Sequence, residues 1–293
     1  MRKYIIPLLL AVSSVAACQK TVKDEGKDIN LEGYTMFNVD IEAVDLDGGA
    51  ASQAVWADGA SIGIFGSESG SNACFNIKRS DAGLSAASFY GELVKGSQIA
   101  AYAPYENGLS RENGAIPLDL AAVQPFESDA SVASHFTSLC PRIFASLGED
   151  KALHFAYPLG LLNVSITFDD AIEVQGMKLS SGSKGLSGRM GVLPSGETAT
   201  TSVSRTEISL DFGGSAVSSK DADGGFTSFL FVLPPAEYAA GELSLEITTA
   251  EELIRVQLPA IEVKRVEGKD FVIANTEVGS GLPGFETKPG ILE

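Results

Sequence analysis

Three cysteines, two histidines and one serine–lysine pair are the residues of this 293-residue chain whose chemistry could build a site. A thiolate or imidazole binds zinc when the ligands recur at short spacing. His135 and His154 stand apart, and no Cys-x-x-Cys or His-x-x-His occurs, so the spacing supports no metal ion. Ser181 and Lys184 match Ser-x-x-Lys, the opening of an acyl-transfer site. The companion Ser-Asp-Asn and Lys-Thr-Gly motifs are missing, and the segment reads as a Gly/Ser turn. Asp45–Gly49 and Asp221–Gly225 begin like calcium loops but lack the closing Glu, so both are expected to be Asp-Gly turns. Trp56, Tyr90, Tyr102 and Tyr105 have faces that could stack on a sugar, although strand-rich chains spend most aromatics in the core. No catalytic residue, cofactor or metal is expected, and the chain does not read as an enzyme. Cys74 and Cys140 fit either a disulfide in an oxidising compartment or two buried thiols.

Cys18 has a more specific context. Met1-Arg2-Lys3 carries positive charge, Ile5–Val12 is apolar apart from Pro7, and Ser13–Ala17 is small, the order of a secretory leader. The apolar run is too short to span a bilayer of about 30 Å. Val15-Ala16-Ala17-Cys18 resembles the bacterial lipobox, in which the cysteine takes a diacylglycerol and cleavage falls just before it. Two or three acyl chains anchor stably where one does not. The expectation is therefore a leader over 1–17, lipidation at Cys18, a polar tether over 18–33, and attachment to the outer membrane. Asp24 and Glu25 loosely resemble the acidic export signal of Bacteroides-type surface lipoproteins.

Removing the leader leaves 276 residues and takes away Arg2 and Lys3, moving the net charge from −17 to −19. So acidic a chain repels phosphate backbones, which argues against nucleic acid as a partner.

Period-two alternation dominates the rest. Phe37, Val39 and Ile41 alternate with polar residues, as do Leu162–Phe168, Ile208–Phe212 and Leu243–Ile247, and Phe229, Phe231 and Leu233 follow the same spacing. Gly-, Ser- and Asp-rich turns separate these runs, and one short helix is expected over Asp129–Leu139. The pattern implies an all-β chain built of sandwiches. Gly108–Asp150 reads as a long irregular stretch before the strong strand at Leu161–Phe168. That places a boundary near Tyr157-Pro158 and gives two β-domains, 34–158 and 159–293.

Several blocks, taken in order, resemble the fimbrillin family, the type V pilins of Bacteroides-type bacteria. They are "AVWADGASIGIFG" (Ala54–Gly66), "GSQIAAYAPYE" (Gly96–Glu106), "LHFAYPLGLLNVSIT" (Leu153–Thr167), "FLFVLPPAEYAAGELSLEIT" (Phe229–Thr248) and "VEGKDFVI" (Val266–Ile273). Ala103 and Tyr157 replace a tyrosine and a histidine common in the family. The resemblance implies two tandem transthyretin-like β-sandwich domains, a lipid-anchored outer-membrane subunit at the cell surface, and assembly with other pilus subunits by strand addition. Contact with a host receptor or glycan would follow from adhesion, and a stand-alone glycan-binding lipoprotein is the alternative. The family's shaft subunits are cut after an arginine upstream of the first block. Here no arginine lies between Cys18 and Arg79, and Ser52-Gln53-Ala54 precedes Trp56. The resemblance therefore implies that the strand over Tyr34–Val44 is kept, as in a basal anchor or accessory subunit.

Overall fold

The structure, a computed structural model, describes residues 8–9, 34–44, 54–68, 72–92, 96, 99–127, 132–193, 198–221, 223–274 and 286–289. Cys18, the tether and Asp45–Gly49 lie outside the described residues.

The chain is almost entirely β. Its elements are β1 (Leu8–Leu9), β2 (Thr35–Ile41), β3 (Ala54–Val55), β4 (Ser61–Gly66), β5 (Ala73–Ile77), β6 (Ala87–Gly91), β7 (Ile99–Ala103), β8 (Ile116–Leu120), β9 (Val123–Pro125), α1 (Val132–Leu139), β10 (Ile143–Ser146) and β11 (Leu153–Phe155). There follow β12 (Gly160–Thr167), β13 (Glu173–Ser181), β14 (Ser187–Val192), β15 (Thr198–Arg205), β16 (Glu207–Asp211), β17 (Val217–Ser218), β18 (Ser228–Leu233), β19 (Ala236–Tyr238), β20 (Leu243–Thr249), β21 (Glu252–Gln257), β22 (Ile261–Val263), β23 (Gly268–Ala274) and β24 (Glu286–Pro289). The alternating runs read from the sequence are β2, β12, β16, β18 and β20, and the expected helix is α1. Gly108–Asp150 corrects the expectation of an irregular stretch, since it holds β8, β9, α1 and β10. β8, β9 and β10 are three to five residues long, too short for a period-two pattern to stand out.

Two compact units are present, neither continuous in sequence. The first draws on 1–118, 141–158 and 191–199; the second draws on 119–140, 159–190 and 200–293. The first unit is built on one seven-stranded sheet in the order β10-β7-β4-β5-β6-β2-β11. All its pairs are antiparallel except β2–β11, which is parallel. The sheet's two end strands also meet. Phe144 and Ala156 exchange backbone hydrogen bonds of 3.0 and 2.9 Å, and Leu147 bridges Leu153. The ring of strands therefore closes, with Phe75, Phe89 and Phe155 fully buried on its inner face and Phe65 and Tyr102 fully buried on the other. Closing a sheet on itself leaves no free edge in the ring. Gly63 on β4 makes this packing possible: a Cβ there would sit 2.1 Å from the Tyr102 ring.

The second unit stays open. β18-β12-β23 forms a three-stranded sheet, and β24-β21-β20-β13-β16-β9 forms a longer one, with β17 beside β13. Alternate residues fill its core: Leu162, Val164 and Ile166 of β12, Phe229, Phe231 and Leu233 of β18, Leu243, Leu245 and Ile247 of β20. Each fully buried side chain of this size is worth about 1.5–3 kcal/mol.

Candidate functional site

β2 has the most distinctive placement in the first unit. It comes first in the seven-stranded ring yet lies inside it, between β6 and β11. Its inward residues Phe37, Val39 and Ile41 are buried, and Phe37 packs on Phe75 at a ring-centre distance of 5.5 Å. Val39 pairs in register with Ala87 on one side and Leu153 on the other; Ile41 pairs with Phe155. Glu42 extends the seam by donating its N–H to the Phe155 carbonyl at 2.8 Å. Beneath β2 lies Trp56. Its ring meets Phe89 of β6 edge-on at 4.8 Å and Phe155 of β11 at 5.3 Å, so one aromatic touches both strands that flank β2. The backbone of Trp56 is tied on both sides, to the Leu84 carbonyl and the Gly83 N–H. β2 thus completes two seams and covers an aromatic core.

The solvent face of the parallel seam carries charge. His154 and Asp40 are register partners, with Nδ1 2.9 Å from the Asp40 carboxylate, while Nε2 lies 3.1 Å from Asp150. The bond to Asp40, reinforced by the charges of both carboxylates against partial burial, holds the imidazole above its ordinary value.

The four aromatics weighed as sugar platforms do not make one. Trp56, Tyr90 and Tyr102 are buried, and Tyr105 is half-buried with its hydroxyl donating to Asn107. The Tyr102 hydroxyl is itself engaged, accepting from the Glu106 N–H at 3.1 Å and from Asn72, while Arg142 stacks on its ring and pairs with Glu106.

Ser181 and Lys184 form a turn. The Ser181 oxygen accepts the Lys184 N–H at 2.9 Å, and the Lys184 ammonium reaches the Glu237 carbonyl and Glu242. The ammonium is drawn toward acceptors on the far side of the turn, away from the serine. Asp221 likewise spends its carboxylate on the N–H groups of Asp223 and Gly225, at 3.0 and 2.7 Å. Among the described residues no cluster of His, Cys, Asp and Glu could hold a metal ion.

Cys140 follows α1 as a buried free thiol, pushed up by burial. The Cys74–Cys140 bond left open by the sequence is therefore not made. Cys74 on β5 is in disulfide linkage, with a partner outside the described residues. His135, on α1, is buried, burial lowers its imidazole below the ordinary value, and its Nδ1 has no hydrogen-bond partner among the described residues.

Gln124 is a residue the sequence reading missed. Fully buried on β9, its amide donates to the Val232 carbonyl at 2.7 Å and accepts the Val232 N–H at 3.0 Å. One side chain thus substitutes for a strand along the outer edge of β18, on which α1 also packs. A lone glutamine in a three-residue strand gives no periodic signal.

No family model and no curated protein matches the chain. Solved structures do. A candidate cell adhesion protein from Bacteroides ovatus is 14% identical, with 89% of this chain and 99% of that chain covered at a TM-score of 0.53. Looser likenesses are to a candidate cell adhesion protein from Bacteroides uniformis (15%, 88% and 98% covered, TM-score 0.47) and to the tip fimbrial protein Mfa3 from Porphyromonas gingivalis (12%, 87% and 99%, 0.45). The chain thus shares its all-β fold with the Bacteroides ovatus protein.

Proposed function

We propose that the chain is a lipid-anchored, cell-surface fimbrial subunit that keeps β2 and serves as a basal anchor or accessory component, joining other subunits by strand addition. One observation carries the reading. β2 fills an interior position of a closed ring and covers Trp56, so it is part of a finished core. The missing arginine before Trp56 agrees with this, because trypsin-like cutting there has no substrate residue. The shared fold with the Bacteroides ovatus protein and the burial of Trp56, Tyr90 and Tyr102 favour an assembly role over a sugar-stacking one.

Anchoring rests on Cys18. Cys18→Ala should abolish acyl labelling and release the protein from the membrane fraction; labelling that persists in the variant contradicts the anchor. A thioether at Cys18 leaves no thiol there for a disulfide. Denatured, unreduced protein from membranes should then titrate two thiols, Cys74 and Cys140. A single thiol would mean that Cys18 is held in a disulfide, and the anchor would be withdrawn.

A further inference from the structure

We propose that His154 is a pH-responsive latch on β2, tightening the parallel β2–β11 seam in acid and loosening it in base. The inference concerns the seam itself and does not depend on the chain being a fimbrial subunit.

The seam is the weaker of the two that hold β2. It has three register pairs, Val39–Leu153, Asp40–His154 and Ile41–Phe155, against five pairs between β2 and β6. Its inner pairs are apolar and indifferent to pH. Its single outward pair is Asp40–His154, and the turn before β11 brings Asp150 to the other ring nitrogen. The imidazole therefore bridges a carboxylate of the seam's partner strand to one of its own approach turn. Both nitrogens face acceptors, an arrangement a neutral ring cannot satisfy, because it carries one N–H. The protonated ring donates to both carboxylates at once. The other charged side chains beside these elements are Glu42 just after β2 and Glu149 and Lys151 in the turn; none pairs with the ring, and β10 brings no charge.

The direction follows from linkage. The folded ring keeps its proton to a higher pH than the ordinary histidine value of about 6.5, so the contribution is complete below that value and is lost as pH rises through the folded one. Because the group is half-exposed, screening keeps the effect small, on the order of three-fold in seam opening.

Native-state hydrogen exchange on the full chain reads this at the Glu42 amide, which bonds across the seam to Phe155. Its protection factor should be about three-fold higher at mildly acidic pH than at mildly basic pH in the wild type. In His154→Gln it should be flat and equal to the wild type's basic value. Asp150→Asn should show a reduced step, and the His154 resonance should titrate above the ordinary value. An identical step in His154→Gln, or a His154 titration at or below the ordinary value, overturns the proposal.

Discussion

The two units solve the same problem in opposite ways. A sheet edge left bare invites pairing with another chain. The first unit removes its edges: β10 and β11 bridge through Phe144–Ala156 and Leu147–Leu153, so all seven strands have neighbours on both sides. The second unit keeps its strands in several separate sheets and seals selectively. Along β18 the seal is one amide, Gln124, with α1 beside it. The difference teaches where change is tolerated. In the ring every strand is load-sharing, and losing one opens two seams at once. In the open sandwich an edge can be sealed or freed by single side chains, without disturbing the core of Leu162, Phe229 and Leu245.

The largest effect is expected in the ring. Trp56→Ala should lower stability by about 3–5 kcal/mol, because it empties the space shared by Phe89 and Phe155 beneath β2. Urea unfolding measures it; a loss under about 1 kcal/mol would mean that β2 covers no essential core. Next is the seal on β18. Gln124→Leu keeps the volume but strands the Val232 N–H and carbonyl, at a cost of about 2–3 kcal/mol. A neutral result would show that the edge finds water or another partner without penalty. Smaller still is Tyr102→Phe, which keeps the ring over Gly63 but removes the hydroxyl that the Glu106 N–H and Asn72 reach, for about 1 kcal/mol.

The two histidines sharpen the contrast through pH, with opposite signs. His154 on the ring holds its proton more tightly when folded, so its contribution is present in acid. Burial lowers His135 in the second unit, so the folded chain takes up that proton less readily than the unfolded chain. Its stabilising effect is present above the ordinary histidine value and is lost as pH falls below it. His135→Leu should therefore flatten the acid side of the stability–pH curve, while His154→Gln should steepen it. Denaturation midpoints across pH test this, and a common direction for both variants would contradict the two assignments.

The legible part of this molecule is where strands have one wet face. β2, β12, β16 and β20 alternate because one side is wetter than the other, and the pattern gives their faces directly. β4, buried along all six residues, carries no such alternation, and Gly108–Asp150 looked irregular because β8, β9 and β10 are only three to five residues long. Long-range features were out of reach: the Gln124–Val232 contact spans 108 residues, and the closure of the ring depends on a bridge between two short strands. The units themselves interleave in sequence, and 119–140 clusters with residues beyond 159, which no local composition change marks. The chemistry-bearing residues fared differently. Ser181, Lys184 and Asp221 sit in Gly-rich stretches, and the turn hydrogen bonds they make are those such stretches favour.

The central claim is that β2 stays in the mature protein. Intact-mass and N-terminal analysis of the protein extracted from purified surface fractions tests it most directly. The account predicts a chain that begins at an acylated Cys18 and contains Thr35–Ile41. A mature N-terminus between Val44 and Trp56 would show that β2 is removed, and the retained-strand assignment would fall with it.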